Sequence, residues 1–507
     1  MAAGYDLVVI GGGAAGLGAA RGGAAAGALT LLVSEGEIGG ECTFTGCVPS
    51  KTLIEAAACG AAFPAAMAAV RNSVAAIAAT ETAEMLAREG IDVLRGRAVF
   101  TAPDKVSVGE RVLAARRFVV ATGSRPVIPP VPGLAETAFL TNETVFGLRK
   151  LPGRLTVLGG GAVGCELAQA FARLGSQVTL IEAVGRLLPA ADPAASAVVE
   201  HVFRAEGISV STGVAAASVK QNEKGVTLRL ASGQETEADL LLVAAGRQPA
   251  AGHLGLDNAG ARLDERGCVV TDRHLATTAP GIYAAGDVTG RMPFTHAAHA
   301  MGRLAARNAL RRRWSPPGTF ATQTIPWVVF TDPEVAQVGL TEPQAAAHAG
   351  ARVAYLPVSE VDRAVTAGRT EGFVKLIAGR RRVLGAAGGG RLLGGDDRRW
   401  PRGGDDPRAR AGHVRRHVHR PARPDRPRIP HLVAGHPAGR RPVLRRVRRP
   451  HRPPGGDQPE LSLVENQPGR LRAHLYLHDL FVSGPAAVGQ AAGARGTDVP
   501  GHVSLAA

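Results

Sequence analysis

Short apolar runs alternate with alanine- and glycine-rich stretches along the first third of the chain, and the pattern then repeats. Asp6–Ile10 and Leu29–Val33 have the length of buried strands, and the residues between them have helical character. Leu155–Leu158 and Val178–Ile181 repeat the two runs, with the helical stretch Cys165–Leu174 between them. Buried parallel strands form continuous apolar runs. The pattern therefore predicts an α/β protein with two β-α-β units.

A glycine motif follows the first apolar run as Gly11-x-Gly13-x-x-Gly16, and Glu35 follows the second run. The first glycine permits a tight turn, and the second lets the backbone approach a pyrophosphate at a helix N-terminus, where N–H groups favour anions. Glu35 is placed to accept hydrogen bonds from ribose hydroxyls. An ordinary glycine-rich turn is the alternative, but both strands and the acid favour a dinucleotide site.

The second unit carries the same elements as Gly159-x-Gly161-x-x-Gly164, with Glu182 at the end of its second run. Two such units predict two dinucleotides, or one unit that has lost its ligand. An acid at position 182 repels a 2′-phosphate, so NADH is favoured over NADPH. Arg186 stands close enough to weaken that preference, and the loop after the strand decides it.

Two cysteines, Cys42 and Cys47, stand in the segment GGECTFTGCVPSK at 39–51. At this spacing they can lie on the first turns of a helix and close a small disulfide, and a helix N-terminus lowers the pKa of a thiol. The chain has only five cysteines, too few for a secreted disulfide scaffold, so the pair indicates redox chemistry. Two buried cysteines by chance, or half of a zinc site, are the alternatives, but no further zinc ligands stand nearby.

Further segments follow in a fixed order and carry a family resemblance over about residues 5–394. With the cysteine segment they resemble the FAD-dependent pyridine nucleotide–disulfide oxidoreductases, the family of dihydrolipoamide dehydrogenase, glutathione reductase and mercuric reductase. The segments are Ala121–Pro126 (ATGSRP), Ala245–Pro249 (AGRQP), Tyr283–Asp287 (YAAGD), Thr295–Ala298 (THAA), Phe330–Glu334 (FTDPE) and Val338–Thr341 (VGLT).

The resemblance implies a mechanism in which hydride passes from a nicotinamide to FAD and the flavin reduces a Cys42–Cys47 disulfide. It implies that Cys47 is the thiol nearest the flavin and that Cys42 exchanges with the substrate. Lys51 would lie by the flavin N5 edge and pair with Glu166. A cation near the ring would also stabilise the reduced, anionic flavin on physical grounds alone.

The resemblance also implies the cofactors, FAD and NAD(P)H, and a homodimer, with no metal site. The expected acceptor is a small-molecule or protein disulfide, most simply of the dihydrolipoamide type. Phe44 stands where the commoner cysteine loop has Asn, which leaves mercuric- or quinone-reductase-like activity open, although no extra C-terminal cysteine pair supports the mercuric option. The implied contacts are Gly11, Gly13, Gly16, Glu35, Gly123, Asp287 and Ala297 for FAD, and Gly159, Gly161, Gly164, Glu182 and Gly246 for NAD(P)H.

We expect the chain to be divided into an FAD-binding domain with a first part at 1–150 and a second part at 271–320, and an NAD(P)-binding domain at 151–270 between them. A truncated α+β interface domain would occupy 321–394, followed by an irregular basic tail at 395–507. The chain contains no apolar run long enough to span a membrane, and its N-terminus enters a strand pattern at once, so a cytoplasmic protein is expected.

The tail holds most of the positive charge of the 507-residue chain. Residues 395–507 contain 21 Arg, no Lys and ten acidic residues, which is +11 of the total +16. Arginine without lysine is typical of GC-rich DNA read out of frame. Read one base later, Pro427–Leu444 can encode HAYPTWSLAIQQAAGQF, which resembles the interface domain of the family with its His-x-x-Pro-Thr motif. We therefore hypothesise a frameshift near Gly394.

As written, the chain lacks the interface histidine that would serve the exchanging thiol. His431 and His436 stand near its place but in a Pro/Arg-rich segment, which predicts a disordered tail. A flavin-binding pseudoenzyme with a lost interface domain is thus the alternative function. Nucleic-acid binding by the tail is not expected, because no aromatic residues are interleaved with the charges.

Overall fold

The computed structural model of the protein describes residues 4–380, except 224, 313 and 349, together with the backbone of the short strands 390–392 and 444–446. The strands and helices of this part are bounded as follows. Residues up to 150 form β1 (Leu7–Ile10), α1 (Ala14–Ala25), β2 (Thr30–Ser34), α2 (Gly40–Phe44), α3 (Cys47–Ala58), α4 (Phe63–Ala78), α5 (Ala83–Arg88), β3 (Ile91–Arg95), β4 (Ala98–Ala102), β5 (Lys105–Val108), β6 (Arg111–Ala114), β7 (Phe118–Val120), β8 (Ser124–Pro126) and β9 (Phe139–Leu140). The next residues form β10 (Arg154–Leu158), α6 (Ala162–Arg173), β11 (Gln177–Glu182), α7 (Pro193–Ala205), β12 (Ser209–Thr212), β13 (Ala216–Asn222), β14 (Gly225–Leu230), β15 (Glu235–Ala238), β16 (Leu240–Val243) and β17 (Arg247–Pro249). The remainder is β18 (Ile282–Ala284), α8 (Thr295–Ala309), β19 (Trp327–Val329), β20 (Val335–Gln337), α9 (Glu342–Ala345), β21 (Arg352–Pro357), α10 (Asp362–Thr366), β22 (Phe373–Arg380), β23 (Gly390–Leu392) and β24 (Leu444–Arg446).

Two five-stranded parallel sheets form the centre of the fold, in the orders β18-β7-β1-β2-β3 and β12-β11-β10-β16-β9. Their central strands β1 and β10 are almost entirely buried, as their apolar runs require. Each leads at its carboxyl end through a glycine turn into a helix, α1 or α6. The predicted α/β class with two Rossmann-like units is confirmed, and the predicted domain boundaries remain predictions.

Helices α1 and α8 pack directly against each other on one face of the first sheet. An ideal Cβ added to Gly302 of α8 would lie 1.9 Å from the Ala15 carbonyl oxygen of α1, and one added to Gly18 would lie 2.6 Å from the His299 carbonyl oxygen. No side chain fits at either contact. The glycines therefore bring the helix after the first glycine motif against the helix that begins at Thr295.

The region after residue 320 attaches to the second sheet through a buried ion pair. Lys375 Nζ of β22 lies 2.7 Å from Asp192 Oδ1 and 3.0 Å from Glu342 Oε2, and its side chain is only 10% exposed. Asp192 also accepts hydrogen bonds from the backbone N–H groups of Ala194 and Glu342. The same carboxylate thus caps α7 and joins β22 and α9 to it.

The predicted irregular tail, 395–507, lies outside the described residues except for one strand. Residues Leu444–Arg446 pair antiparallel with β21, which differs from the expectation of a wholly irregular segment. His431 and His436 are not among the described residues. No helix in the described ranges is long and apolar enough to cross a membrane, and the longest of them, α4, has 16 residues.

Candidate active site

The two cysteines lie on consecutive helices rather than on one. Cys42 lies in the five-residue helix α2, and Cys47 is the first residue of α3. Gly46 separates them with φ −122° and ψ −116°, which is not helical, and its Cβ position lies 2.8 Å from the Glu41 carbonyl oxygen. The expectation of a single helix was therefore wrong. Both thiols are free and half-buried.

The surroundings of the two thiols separate their pKa values. A hydrogen bond from Cys42 lowers the pKa of Cys47 to about 6 against the opposing effect of burial, and Thr295 and Lys51 lower it further. The same hydrogen bond and burial raise the pKa of Cys42. Thr295 Oγ1, at the start of α8, lies 3.1 Å from Cys47 Sγ. The reduced pair therefore carries its negative charge on Cys47 at neutral pH.

Lys51 and Glu166 are brought together as an ion pair one helical turn beyond Cys47. Lys51 Nζ lies 2.8 Å from Glu166 Oε2, and the Glu166 side chain is only 5% exposed. The other oxygen of Glu166 accepts a hydrogen bond from the Phe330 backbone N–H at 2.9 Å. Lys51 Nζ also lies 4.8 Å from the centre of the Phe330 ring. The cation is thus held between α6 and the segment before β20.

A chain of polar contacts links the cysteine segment to four distant segments. Ser124 Oγ donates to Asp287 Oδ2 at 2.7 Å, and Arg247 Nε donates to Ser124 Oγ at 2.8 Å. Arg247 also forms a close ion pair with Glu41, whose Oε1 accepts from Asn142 Nδ2 at 2.8 Å. Burial raises the pKa of Glu41, and the charge of Arg247 opposes that effect. Glu41, the residue beside Cys42, is therefore linked through Arg247 and Ser124 to Asp287 in the segment YAAGD.

The turn between β1 and α1 fits the first dinucleotide. Gly11 has φ +116°, and a Cβ there would lie 2.2 Å from the Ala121 carbonyl oxygen, so only glycine fits. The Cβ position of Gly13 meets nothing closer than 4.0 Å. Thr122 Oγ1 is buried, and no hydrogen-bond partner for it occurs among the described residues. The open backbone and the orphaned hydroxyl suit a bound polar group such as FAD.

The turn between β10 and α6 opens onto a cavity of about 520 Å³. Gly161 lines this cavity, and its Cβ position meets nothing within 4 Å. Phe294 and Trp327 stack at the other side of the cavity with ring centroids 5.6 Å apart. A helix N-terminus beside open space fits the pyrophosphate of a nicotinamide dinucleotide.

Glu182 and Arg186, the residues expected to recognise the adenosine ribose of the nicotinamide dinucleotide, already have hydrogen-bond partners in the two neighbouring turns. Glu182 Oε2 accepts from the Gly160 N–H at 2.6 Å, and its Oε1 accepts from the Val184 N–H at 2.8 Å. Arg186 donates to the Pro189 carbonyl oxygen at 2.6 Å, so its guanidinium is directed into the loop.

The other predicted cofactor residues lie at the ends of the strands or in the helices that follow. Glu35 follows β2 and is half exposed, with Arg97 Nε at 3.9 Å and His253 Nε2 at 4.0 Å. The remaining positions are Gly16 in α1, Gly164 in α6, Gly123 just before β8, Gly246 just before β17, and Ala297, which is fully buried in α8. Their roles toward a cofactor remain predictions. No group of three or more His, Cys, Asp or Glu side chains within the described ranges is arranged to hold a metal.

Comparison with known proteins gives the family. A profile described as pyridine nucleotide-disulphide oxidoreductase matches residues 5–302. The chain belongs to this family. The profile of the dimerisation domain of the same family matches residues 325–392. The protein is accordingly an FAD-dependent oxidoreductase that uses NAD(P)H.

Relatives of this oxidoreductase carry several names. A mercuric reductase of Streptomyces lividans is 37% identical over 404 residues, covering 74% of this chain and 84% of the relative. A dihydrolipoyl dehydrogenase of Thermus scotoductus is 37% identical over 396 residues, with the same coverage of 74% and 84%. Among solved structures, the HOCl-induced flavoprotein disulfide reductase RclA of Escherichia coli is 32% identical with a TM-score of 0.67, covering 74% of this chain and 87% of that one.

Several contacts within the site could not be predicted from the sequence. Glu41, Asn142 and Arg247 meet across gaps of about one to two hundred residues, and no spacing rule joins them. Thr295 belongs to a segment that carries the family resemblance, but its contact with Cys47 depends on the packing of α8. The sequence also does not predict the contact of Glu81 with the cysteine segment, because a glutamate in a turn is ordinarily a solvated surface residue.

Replacing Lys51 with glutamine is expected to raise the pKa of Cys47. The Cys47 thiolate, present above pH 6 and protonated below it, would then need a higher pH, because a neighbouring positive charge is lost. We expect the midpoint to move up by about 1 pH unit. The measurement is a pH titration of the long-wavelength thiolate–flavin absorbance in the NADH-reduced protein. Lys51→Arg, which keeps the charge, should titrate like the parent, and an unchanged midpoint in Lys51→Gln would contradict the assigned role.

Proposed function

We propose that this oxidoreductase reduces a disulfide acceptor of the lipoamide type at the expense of NAD(P)H, through FAD and the Cys42–Cys47 pair. The observation that carries the proposal is the cysteine pair itself. One thiol is held as a thiolate at the start of α3 against Thr295, and the other is held as a neutral thiol beside it. Such a pair can store two electrons and release them by thiol–disulfide exchange.

The proposal assigns each residue of the site a physical task. Cys42 exchanges with the acceptor, and Cys47 holds the negative charge of the reduced pair. Lys51, oriented by Glu166, supplies positive charge to the site where the flavin ring would bind. Bound FAD would supply the two-electron carrier between the nicotinamide and the pair. Asp287, oriented by Ser124, would hold the ribityl chain, and the turn at Gly11 to Gly16 would hold the pyrophosphate.

We propose NADH as the preferred reductant. The carboxylate of Glu182 stands at the end of β11, where it would repel a 2′-phosphate. Arg186 could offset this charge only if its guanidinium were free, and it donates instead to loop carbonyl oxygens. The loop therefore favours a ribose without a phosphate.

A second candidate is a flavin-binding pseudoenzyme that has lost its interface domain. The dimerisation-domain match ends at residue 392, two residues before Gly394, where the composition changes to arginine and proline. Family membership leads us to propose a homodimer for a complete interface domain. A chain without that domain would keep both dinucleotide turns and the cysteine pair but would lack a partner base for Cys42.

The rate of disulfide turnover and the oligomeric state of the protein distinguish the two candidate functions. We expect the full chain, mixed anaerobically with NADH, to develop long-wavelength thiolate–flavin absorbance and to reduce lipoamide, with a lower KM for NADH than for NADPH. Oxidised glutathione, Hg²⁺ and a benzoquinone serve as competing acceptors in the same assay. NADH-dependent dye reduction without turnover of any disulfide, by a protein that elutes as a monomer, would favour the pseudoenzyme instead.

A further inference from the structure

Glu81 holds its carboxylate against the cysteine segment although it lies in the turn between α4 and α5. Thr43 Oγ1 donates to Glu81 Oε2 at 3.0 Å, and Thr43 is buried. An ideal Cβ at Gly39 would lie 2.5 Å from the same carboxylate oxygen, so the carboxylate sits where a side chain at position 39 would be. A backbone hydrogen bond from Glu81 N to the Ala78 carbonyl oxygen fixes the turn. The negative charge is thus fixed at the beginning of α2, against the residue that follows Cys42.

The two thiols are subject to opposite charges. The ammonium of Lys51 lowers the pKa of Cys47 and outweighs the carboxylate of Glu166, and Cys47 begins a twelve-residue helix whose N-terminus favours negative charge. The carboxylate of Glu81, held against Thr43 next to Cys42, adds to the larger effects of Cys47 and of burial that raise the pKa of Cys42. Thr295 Oγ1 lies 3.1 Å from Cys47 Sγ and adds a hydrogen bond on the side of Cys47.

We propose that Glu81 is a positioning residue that keeps the negative charge of the reduced pair on Cys47 and off Cys42. The inference deepens the proposed function and rests on it. Reduction of the disulfide by two electrons and one proton breaks the S–S bond and leaves one thiol and one thiolate. The charge of Glu81 adds to the hydrogen bond between the thiols in favouring the state with the proton on Cys42 and the charge on Cys47. The acceptor then meets a neutral thiol at Cys42, which must lose its proton before it attacks a disulfide.

The test measures the acidity of Cys42 directly and does not depend on turnover. In a Cys47→Ser background, the full FAD-containing protein is alkylated with iodoacetamide, a neutral reagent, over a range of pH. Glu81→Gln keeps an oxygen that can accept from Thr43 but removes the charge. We expect alkylation of Cys42 at neutral pH to be about 3- to 10-fold faster than in the background, because the removal of a nearby like charge lowers a thiol pKa by up to about 1 unit.

Glu84→Gln is the matched control, since Glu84 is an exposed carboxylate on α5 three residues further along. Its alkylation profile should equal that of the background, and Glu81→Asp should restore slow alkylation. Equal profiles for Glu81→Gln and Glu84→Gln would overturn the proposal. If Glu81→Gln fails to fold, Thr43→Val releases the carboxylate from the segment, and an unchanged rate there would equally overturn it. Absence of lipoamide turnover in the parent would instead count against the proposed function alone.

Discussion

Replacement of Cys47 or Cys42 by serine is expected to lower lipoamide turnover by about 10⁴-fold or more, because neither single thiol can form the disulfide that stores the electrons. FAD should remain bound in both variants, since no cofactor residue is altered. The two variants should differ in their spectra. Cys42→Ser keeps Cys47 beside Thr295 and Lys51 and should show thiolate–flavin absorbance at alkaline pH without any reductant, whereas Cys47→Ser should not.

Cys59→Ser is the control for this pair of substitutions. Cys59 is exposed at the end of α3, and its Sγ lies 3.8 Å from Glu55 Oε1, with no contact to the other cysteines. Its turnover should match that of the parent. Turnover within tenfold of the parent in either Cys42→Ser or Cys47→Ser would show that electrons bypass the pair and would refute the proposed route.

Replacement of Gly161 by valine is expected to raise the KM for NADH by about 30-fold or more, which corresponds to a loss of about 2 kcal/mol of binding. The backbone of Gly161 has φ −75°, which valine adopts without strain, and the Cβ position meets open space. The side chain would therefore leave the fold intact and occupy the space that a pyrophosphate needs at the start of α6. Steady-state kinetics at saturating lipoamide give the KM, and urea unfolding gives the stability.

Gly147→Val makes the same change at an exposed glycine whose Cβ position is also free of contacts and which lies outside the 520 Å³ cavity. We expect its KM and its unfolding midpoint to equal those of the parent. FAD content should be unchanged in both variants. A parental KM in Gly161→Val would mean that the nicotinamide dinucleotide binds elsewhere.

The parts of the site that the sequence could predict are those encoded within a few residues of one another. Each glycine turn is set by a strand, a spacing and a helix, so the turns at Gly11 and Gly159 could be located without coordinates. The cysteine pair was recognisable for the same reason. The division of that segment into α2 and α3 was not, because the spacing of the cysteines gives no sign that Gly46 leaves the helical conformation, with φ −122° and ψ −116°.

Contacts between distant segments could not be predicted. The ion pair of Arg247 with Glu41 spans 206 residues and arises only because β17 pairs with β8. Glu182 could be placed at the end of its strand, but its hydrogen bond from the Gly160 N–H and the contact of Arg186 with the Pro189 carbonyl oxygen depend on turn geometry that composition does not encode. The charges that surround each thiol are therefore set by contacts in the folded structure and could not be predicted from the sequence.

From the close packing of α1 against α8, we expect cofactor occupancy and thiol chemistry to be thermodynamically linked. The N-terminus of α1 carries the turn for the first dinucleotide, and the N-terminus of α8 carries the hydroxyl of Thr295 against Cys47. Backbone contacts at Gly302 and Gly18 leave no layer of side chains between the helices to absorb a displacement. Such linkage is reciprocal. If FAD binds one redox state of the cysteine pair more tightly than the other, its binding shifts the midpoint potential of the pair by the equivalent free energy.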